Sequence, residues 1–301
     1  MTTFSRRELL VATIAGLLRG CRHVAVGAAS PLPAAGALLA RELTGGALRV
    51  SLLGGRRDNP FTDGSRELFD CAAQGRLDAF FLSGAQIDGE GNVNLLGLGP
   101  YPRLTRRFAG CFGAPFMATV VPRLILFRED HDPRCLVRRV DFVTAPGGRA
   151  CHLLTGKALF RFDAGRFLLE SLHPGATLEE VRGRTGFAFA VAERCATTPA
   201  PSRRMLALLR GPVRAALADV YPRAAAALGG GGSAAQQHVE SALSAVAPLR
   251  RRVGEDPDAV RRLVEPARRH LAERPAAPQA SAGDDQNAAQ SPLLAAPEKA
   301  T

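Results

Sequence analysis

The sequence predicts an α/β protein: an open, mostly parallel sheet with helices on both faces. Three observations predict it. Over the first 84 of 301 residues, an apolar-faced helical stretch, a short apolar run and a glycine-bearing turn recur in that order. The apolar runs lack the polar alternation of a strand with one wet face, as expected where helices cover both sides of a sheet. Hydrophobic residues make up 46% of the chain, enough for a packed core.

The first element is a helix over 6–19. Ser5 stands at its N-cap with Glu8 three residues on, a reciprocal capping box, while Leu10, Ile14, Leu17 and Leu18 share one face. His23-Val24-Ala25-Val26-Gly27 is a short buried strand, followed by a helix over 33–43 with a proline near its start. The cycle repeats with a strand over 48–53 ending in Gly54-Gly55, a helix over 65–74 stopped by Gly75, and a third strand over 78–84. Residues 84–94 are dense in glycine, amide and acid and read as loop or turn. Residues 118–127 read as a central strand interrupted near Pro122, and 138–144 alternate polar with apolar. Runs 158–162 and 167–171 flank Asp163-Ala164-Gly165-Arg166 as a hairpin. Thr177 with Glu180 forms a second capping box, and Met205-Leu206-Ala207-Leu208-Leu209 a last helix packed on the core.

These elements place a folded domain over 1–223 and a low-complexity tail over 224–301. The tail meets Gly229 to Gly232 early, holds one amphipathic helix over 258–273 and closes in Pro, Ala and Gln. Such a composition buries too little apolar surface to offset ordering entropy, and disorder is expected through most of it.

The net charge of +11 falls entirely in 1–223, which holds 30 of the 39 basic residues and 19 of the 28 acids. Only Lys157 and Lys299 are lysines, and two tyrosines with no tryptophan leave few members for a base-stacking platform, so nucleic acid is not an expected partner. Attraction of a small polyanion or an acidic partner subunit uses the charge better. No apolar run approaches the roughly 18 to 20 residues that span a bilayer, and the capping box at Ser5 argues against a leader peptide, so the expectation is a cytoplasmic protein without a membrane role. The six cysteines show no Cys-x-x-Cys pair, which excludes an ordinary structural zinc site and points to thiols; no metal is expected.

Nucleotide fingerprints are missing. Gly-x-Gly-x-x-Gly does not follow the first strand, and Gly156-Lys157 lacks the upstream glycine and following hydroxyl of a phosphate-binding loop. His173, at a strand end before Pro174-Gly175, is a general-base candidate whose structural reading weighs more. His152 and Cys151 would lie on opposite faces of a strand, and His23 and His131 have no visible partner. Asp88 and Glu90 sit in the 84–94 loop, where they either cap turns or accompany backbone N–H groups facing a developing oxyanion. Gly110-Cys111-Phe112-Gly113 could form a second wall of the same pocket; Cys111 reads as a passive thiol more readily than as a nucleophile.

Three stretches carry a family resemblance: Leu82-Ser83-Gly84-Ala85-Gln86-Ile87-Asp88 with Gly91-Asn92-Val93-Asn94, then Arg138-Arg139-Val140-Asp141-Phe142-Val143-Thr144-Ala145-Pro146-Gly147, then Ser171-Leu172-His173-Pro174-Gly175-Ala176-Thr177-Leu178-Glu179-Glu180-Val181. With them the chain resembles, over 4–209, the beta subunits of the family I CoA-transferases, the glutaconate CoA-transferase type in particular. The resemblance implies an open α/β subunit pairing with a similar alpha subunit as heterodimer or heterotetramer, the active site between them. Coenzyme A thioester is implied as substrate, with no permanently bound cofactor. In that family a glutamate after the second strand attacks the thioester to give a mixed anhydride, and CoA thiolate converts it to a glutamyl-CoA thioester before CoA passes to a carboxylic acid.

The glutamate position falls near Leu52, and no acid occurs between Arg49 and Arg57. No catalytic residue is therefore assigned to this chain; Asp58 and Asp63 would need a shifted loop. The resemblance further implies that Gly84, Ala85 and Gln86 line the thioester region, that Asn92 and Asn94 hold the loop, and that Gly110 and Gly113 admit CoA. His173 and Asp141 are then architectural, and Arg103, Arg106 or Arg107 meets CoA phosphates or the partner. Three readings stay open: a CoA-transferase subunit whose acids come from the alpha partner; a subunit of a ring-opening CoA-thioester hydrolase using an alpha-subunit glutamate, since Gly99-Pro100-Tyr101-Pro102-Arg103-Leu104-Thr105-Arg106-Arg107-Phe108 looks like the steroid-degradation enzymes of that kind; and a noncatalytic scaffold.

Overall fold

A computed structural model describes residues 3–228, Arg56 and Arg149 excepted. Helix α1 (Arg6–Leu17) starts where the capping box sets it: Ser5 Oγ accepts from the Glu8 N–H at 3.2 Å and Glu8 Oε2 from the Ser5 N–H at 2.8 Å. Next come β1 (His23–Val26), α2 (Pro31–Leu43), β2 (Arg49–Leu52), α3 (Ser65–Ala73) and β3 (Ala79–Leu82). Each expected element of the first 84 residues is present, with ends shifted by at most two residues.

Between β3 and the next long strand lie two small hairpins, β4 (Gln86–Ile87) with β5 (Val93–Asn94) and β6 (Gly97–Leu98) with β7 (Arg106–Arg107). The 84–94 segment, expected as loop or turn, is a tight hairpin that turns at Gly89-Glu90. Helix α4 (Ala114–Val120) and β8 (Arg123–Arg128) replace the single interrupted strand expected over 118–127. Pro115 in the first turn favours a helix start, Met117 and Ala118 bury against the core, and Pro122 separates helix from strand. The alternating 138–144 segment forms no strand; its backbone instead follows the β4–β5 hairpin.

The second half contains β9 (Ala150–Thr155), β10 (Ala158–Asp163), β11 (Arg166–Leu172), α5 (Leu178–Gly183) and β12 (Ala190–Thr197). The expected hairpin is β10–β11. Thr177 caps α5 by accepting from the Glu180 N–H at 3.1 Å, but the Glu180 carboxylate turns to Lys157 at 2.6 Å instead of completing the box. Helices α6 (Arg203–Leu208), α7 (Arg214–Val220) and α8 (Pro222–Ala227) follow, a wide turn over Leu209–Val213 joining the first two.

One eight-stranded sheet runs β12-β11-β10-β9-β8-β3-β1-β2, with β2, β1, β3, β8 and β9 parallel to their neighbours in that order and β10 antiparallel to β9 and β11. Alternating strand residues feed two cores. Val24, Val26 and Phe81 pack with α1, α2 and α7, whereas Ala25, Phe80 and Leu82 pack with α3 and α4. This two-faced burial is why the strands read as continuous apolar runs.

Helix α8 crosses the expected boundary at 223, and Ala225 and Leu228 are buried in the α2 face. Contacts divide the chain into Met1–Ser233 and Ala234–Thr301. The disorder and the 258–273 helix expected of the tail lie outside the described residues.

Candidate functional site at the carboxyl edge

In an open α/β sheet, ligands meet the carboxyl ends of parallel strands where the strand order reverses. Here the reversal is at β1, flanked by β2 on one side and β3 on the other. The register aligns Val26 with Leu52, Ala25 with Phe80, and Leu82 with Leu126, so the chain leaves this edge at Gly27, Leu53 and Ser83.

At the end of β2, Leu52 is 1% exposed and packs in the α1–α2 core. Its N–H donates to the Asp58 carbonyl at 2.7 Å, and the Leu53 N–H donates to the Val26 carbonyl at 3.0 Å. Asp58 is bound to Arg41 at 2.8 Å, and Asp63 to Arg66 at 3.2 Å near the start of α3. Both acids near Leu52 are therefore engaged by arginines.

The β4–β5 hairpin is built around Asp88. Its carboxylate accepts from the N–H groups of Glu90, Asn92 and Val140 and from Asn92 Nδ2, at 3.0 to 3.3 Å. Asn92 Oδ1 accepts from the Gly147 N–H at 3.1 Å, while Asn94 Oδ1 accepts from the N–H groups of Leu96 and Gly97. Gln86 Oε1 accepts from Asn94 Nδ2 at 2.7 Å and from the Asp141 N–H at 3.0 Å, which commits that oxygen to holding the loop. Asp141 in turn accepts from the Gly99 N–H at 2.8 Å. Two of the resembling stretches, distant in sequence, thus form one hydrogen-bonded unit. Asp88 is its buried centre, 3% exposed, and caps the turn as one of its two sequence readings has it.

The peptide joining Gly84 to Ala85 belongs to the same unit: the Ala85 N–H donates to the Asn94 carbonyl at 2.9 Å and the Gly84 carbonyl accepts from Arg128 at 3.0 Å. Gly110 is exposed with φ +106° and open space around it. Gly113 instead faces the Phe69 ring, which occupies the place a Cβ would need. Phe69 also meets Phe112 and Phe116 at ring separations of 5.8 and 5.4 Å, and Phe112 is 82% exposed. Cys111 between them is half-buried.

Arg103, Arg106 and Arg107 are exposed, Arg106 lying 5.7 Å over the Phe108 ring. These three arginines stand exposed on and just before β7 of the small β6–β7 hairpin, a local cationic patch, with Asp141 joined to the same hairpin at Gly99. Arg128, which sequence reasoning misses, contacts the 84–94 hairpin at the Gly84 carbonyl; the one signal for it is a charge closing the apolar run Leu124-Ile125-Leu126-Phe127.

His23, His131 and His173 are held by hydrogen bonds within the core. His173 is 3% exposed; its Nε2 faces the Thr155 carbonyl at 2.9 Å, so it carries the proton, and Nδ1 accepts from the Thr198 hydroxyl at 2.8 Å. Burial drives its pKa down to about 4. His23 and His131, expected to lack partners, have two each: Arg76 O and Ser51 Oγ for the first, Thr155 and Thr185 hydroxyls for the second. Burial likewise lowers His131 to about 4. Among the described residues no cluster of His, Cys, Asp and Glu could hold a metal, no disulfide joins the cysteines, and no helix is long and apolar enough to cross a membrane.

No family profile matches the chain. Over 154 residues it is 33% identical to a 3-oxoadipate CoA-transferase subunit of Pseudomonas knackmussii, covering 45% of this chain and 58% of that protein, so the match spans little more than half of that relative. Over 236 residues it is 27% identical to the cholesterol ring-cleaving hydrolase IpdB subunit of Rhodococcus jostii, covering 70% of this chain and 92% of that one. In three dimensions it matches a chain of the decarboxylase AibA/AibB with a TM-score of 0.65 at 26% identity, over 76% of this chain and all of the other. In sequence and in fold the chain is similar to the family I CoA-transferase/decarboxylase superfamily. Its α/β architecture is the family I CoA-transferase fold, and members of this superfamily are CoA-transferases, hydrolases and decarboxylases by the names they carry.

Proposed function

We propose that the chain is the beta-type subunit of a complex acting on an acyl-CoA thioester, and that an alpha-type partner supplies the catalytic carboxylate. One observation carries this reading. The carboxyl edge holds a tightly hydrogen-bonded glycine-containing hairpin followed by a second hairpin bearing exposed Arg103, Arg106 and Arg107, yet the end of β2 offers the buried Leu52 in place of an acid.

A leucine side chain has no lone pair with which to open a thioester, so this chain's own part is to bind and orient. The hairpin at Gly84 is suited to giving the thioester a fixed wall, and the exposed arginines to meeting phosphates. In the transferase form, a partner carboxylate attacks the thioester carbon, CoA thiolate leaves, and CoA returns by way of a glutamyl thioester to a carboxylic acid acceptor. Ring-opening hydrolysis is the second reading, favoured by a match spanning nearly the whole IpdB subunit and by the missing acid. There the partner's glutamate draws a proton from water as it attacks a ring ketone.

Purification with an alpha-type partner, followed by parallel thioester-exchange and ring-opening assays, tests the proposal. Exchange into carboxylic acids supports transfer; consumption of water with ring cleavage supports hydrolysis. A paired complex that binds no acyl-CoA leaves the scaffold reading standing and contradicts both.

A further inference from the structure

We propose that Arg128 is a positioning residue of the thioester-binding edge, acting through the Gly84 carbonyl; the inference rests on the functional reading above. Arg128 ends β8, next to β3, and its Nη1 donates to the Gly84 carbonyl at 3.0 Å. On the other side of the same peptide the Ala85 N–H is held by the Asn94 carbonyl at 2.9 Å. A peptide is a rigid plane, so fixing its oxygen and its N–H fixes its orientation. Rotating that plane would break a charge-assisted bond and a backbone bond together.

Gly84 itself has no slack. A Cβ there would run into Val93 Cγ1 and come within 3.0 Å of the Asn94 carbonyl and 3.1 Å of the Gln86 carbonyl. The hairpin presses Gly84 from one side while Arg128 holds it from the other. The consequence is electrostatic: the Gly84 oxygen, a partial negative charge, is turned toward a cation, which offsets the repulsion it would exert on an incoming ligand oxygen.

The guanidinium is not arranged for its own best pairing. Its Nη2 lies 3.6 Å from Asp130 Oδ2, and its Nε is buried without a hydrogen-bond partner among the described residues. A buried unpaired donor is costly and calls for an explanation. Here the explanation is that the Nη1 contact to Gly84 sets where the group sits. Lysine has no planar fork and would restore charge without restoring that geometry.

The test uses the full chain with its alpha-type partner and reads backbone hydrogen exchange over residues 83–94, with β1 as internal reference. In Arg128→Gln, exchange over 83–94 is expected to quicken about ten-fold, the scale of one lost hydrogen bond to a charged group, while β1 is unchanged. Thioester turnover should then show kcat down about ten-fold with KM within about two-fold, and Arg128→Lys should recover part of both losses. Unchanged exchange over 83–94, or equal quickening in β1, overturns the proposal. If Arg128→Gln does not fold, Arg128→Lys alone decides: loop-specific quickening supports the clamp and wild-type exchange refutes it. If the complex turns over no thioester, the functional reading fails while the exchange result still decides the role of Arg128.

Discussion

Asp58, the first acid after β2, is paired with Arg41 of α2 at 2.8 Å, each side chain 24% exposed. Its carboxylate is thus spent on closing the β2 exit loop onto the neighbouring helix, and its backbone carbonyl is spent on the Leu52 N–H. Asp58→Asn in the paired complex is expected to change turnover by less than about two-fold and to cost on the order of 0.5 kcal/mol of stability, the usual value of a partly exposed pair. Steady-state kinetics beside urea unfolding check both. A loss of activity beyond about a hundred-fold at unchanged stability would make Asp58 the nucleophile.

Stability should fall as the solution is acidified from pH 7 toward 4.5. His131, His152 and His173 are held near pKa 4 by burial, against an ordinary value of 6.5. Between those values the unfolded chain binds protons that the folded chain refuses, so lowering the pH through that window favours unfolding. The penalty is on the order of 2 kcal/mol by pH 4.5 for each of the two deepest rings, His131 and His173. Thermal melts across this range measure it, and His173→Gln, which removes one titrating ring, should flatten the dependence.

Removing the Asp88 carboxylate by Asp88→Ala strands the Val140 N–H in a buried position along with two hairpin N–H groups. We expect a loss of about 3 kcal/mol, the scale for losing several bonds to a buried charge. Urea unfolding gives the figure. Limited proteolysis should then cut in 84–94 and in 138–147 together, because the two segments share this carboxylate.

Adding a methyl group at Gly113 should displace the Phe69 ring that fills the space, at a cost of about 1 to 3 kcal/mol. Gly113→Ala is expected to alter packing around α3 and α4 and to leave the β4–β5 hairpin intact. Exchange protection of the two regions separates these effects.

The helices and strands of the first 84 residues are legible in the sequence because apolar runs and caps are local signals: Ser5 with Glu8, Gly54-Gly55, Gly75. The Ala114–Val120 helix escapes because seven residues give too few turns for a period to show, and its valine favours a strand. The edge strand β12 carries mixed polar residues with little burial, so no apolar run marks it. At the site, the resemblance points to the Gly84 hairpin and the 138–147 stretch, but their fusion through Asp88, Asn92 and Gln86 links residues about 50 positions apart and leaves no local trace. The partners of His23 and His131 are invisible for the same reason.

The most direct measurement is covalent trapping in the paired complex. Incubation with an acyl-CoA thioester, chemical trapping of acyl or glutamyl-CoA adducts and peptide mapping by mass spectrometry should place any adduct on the partner and none on this chain. An adduct on Asp58, Asp63 or any other carboxylate of this chain would contradict a partner-supplied nucleophile.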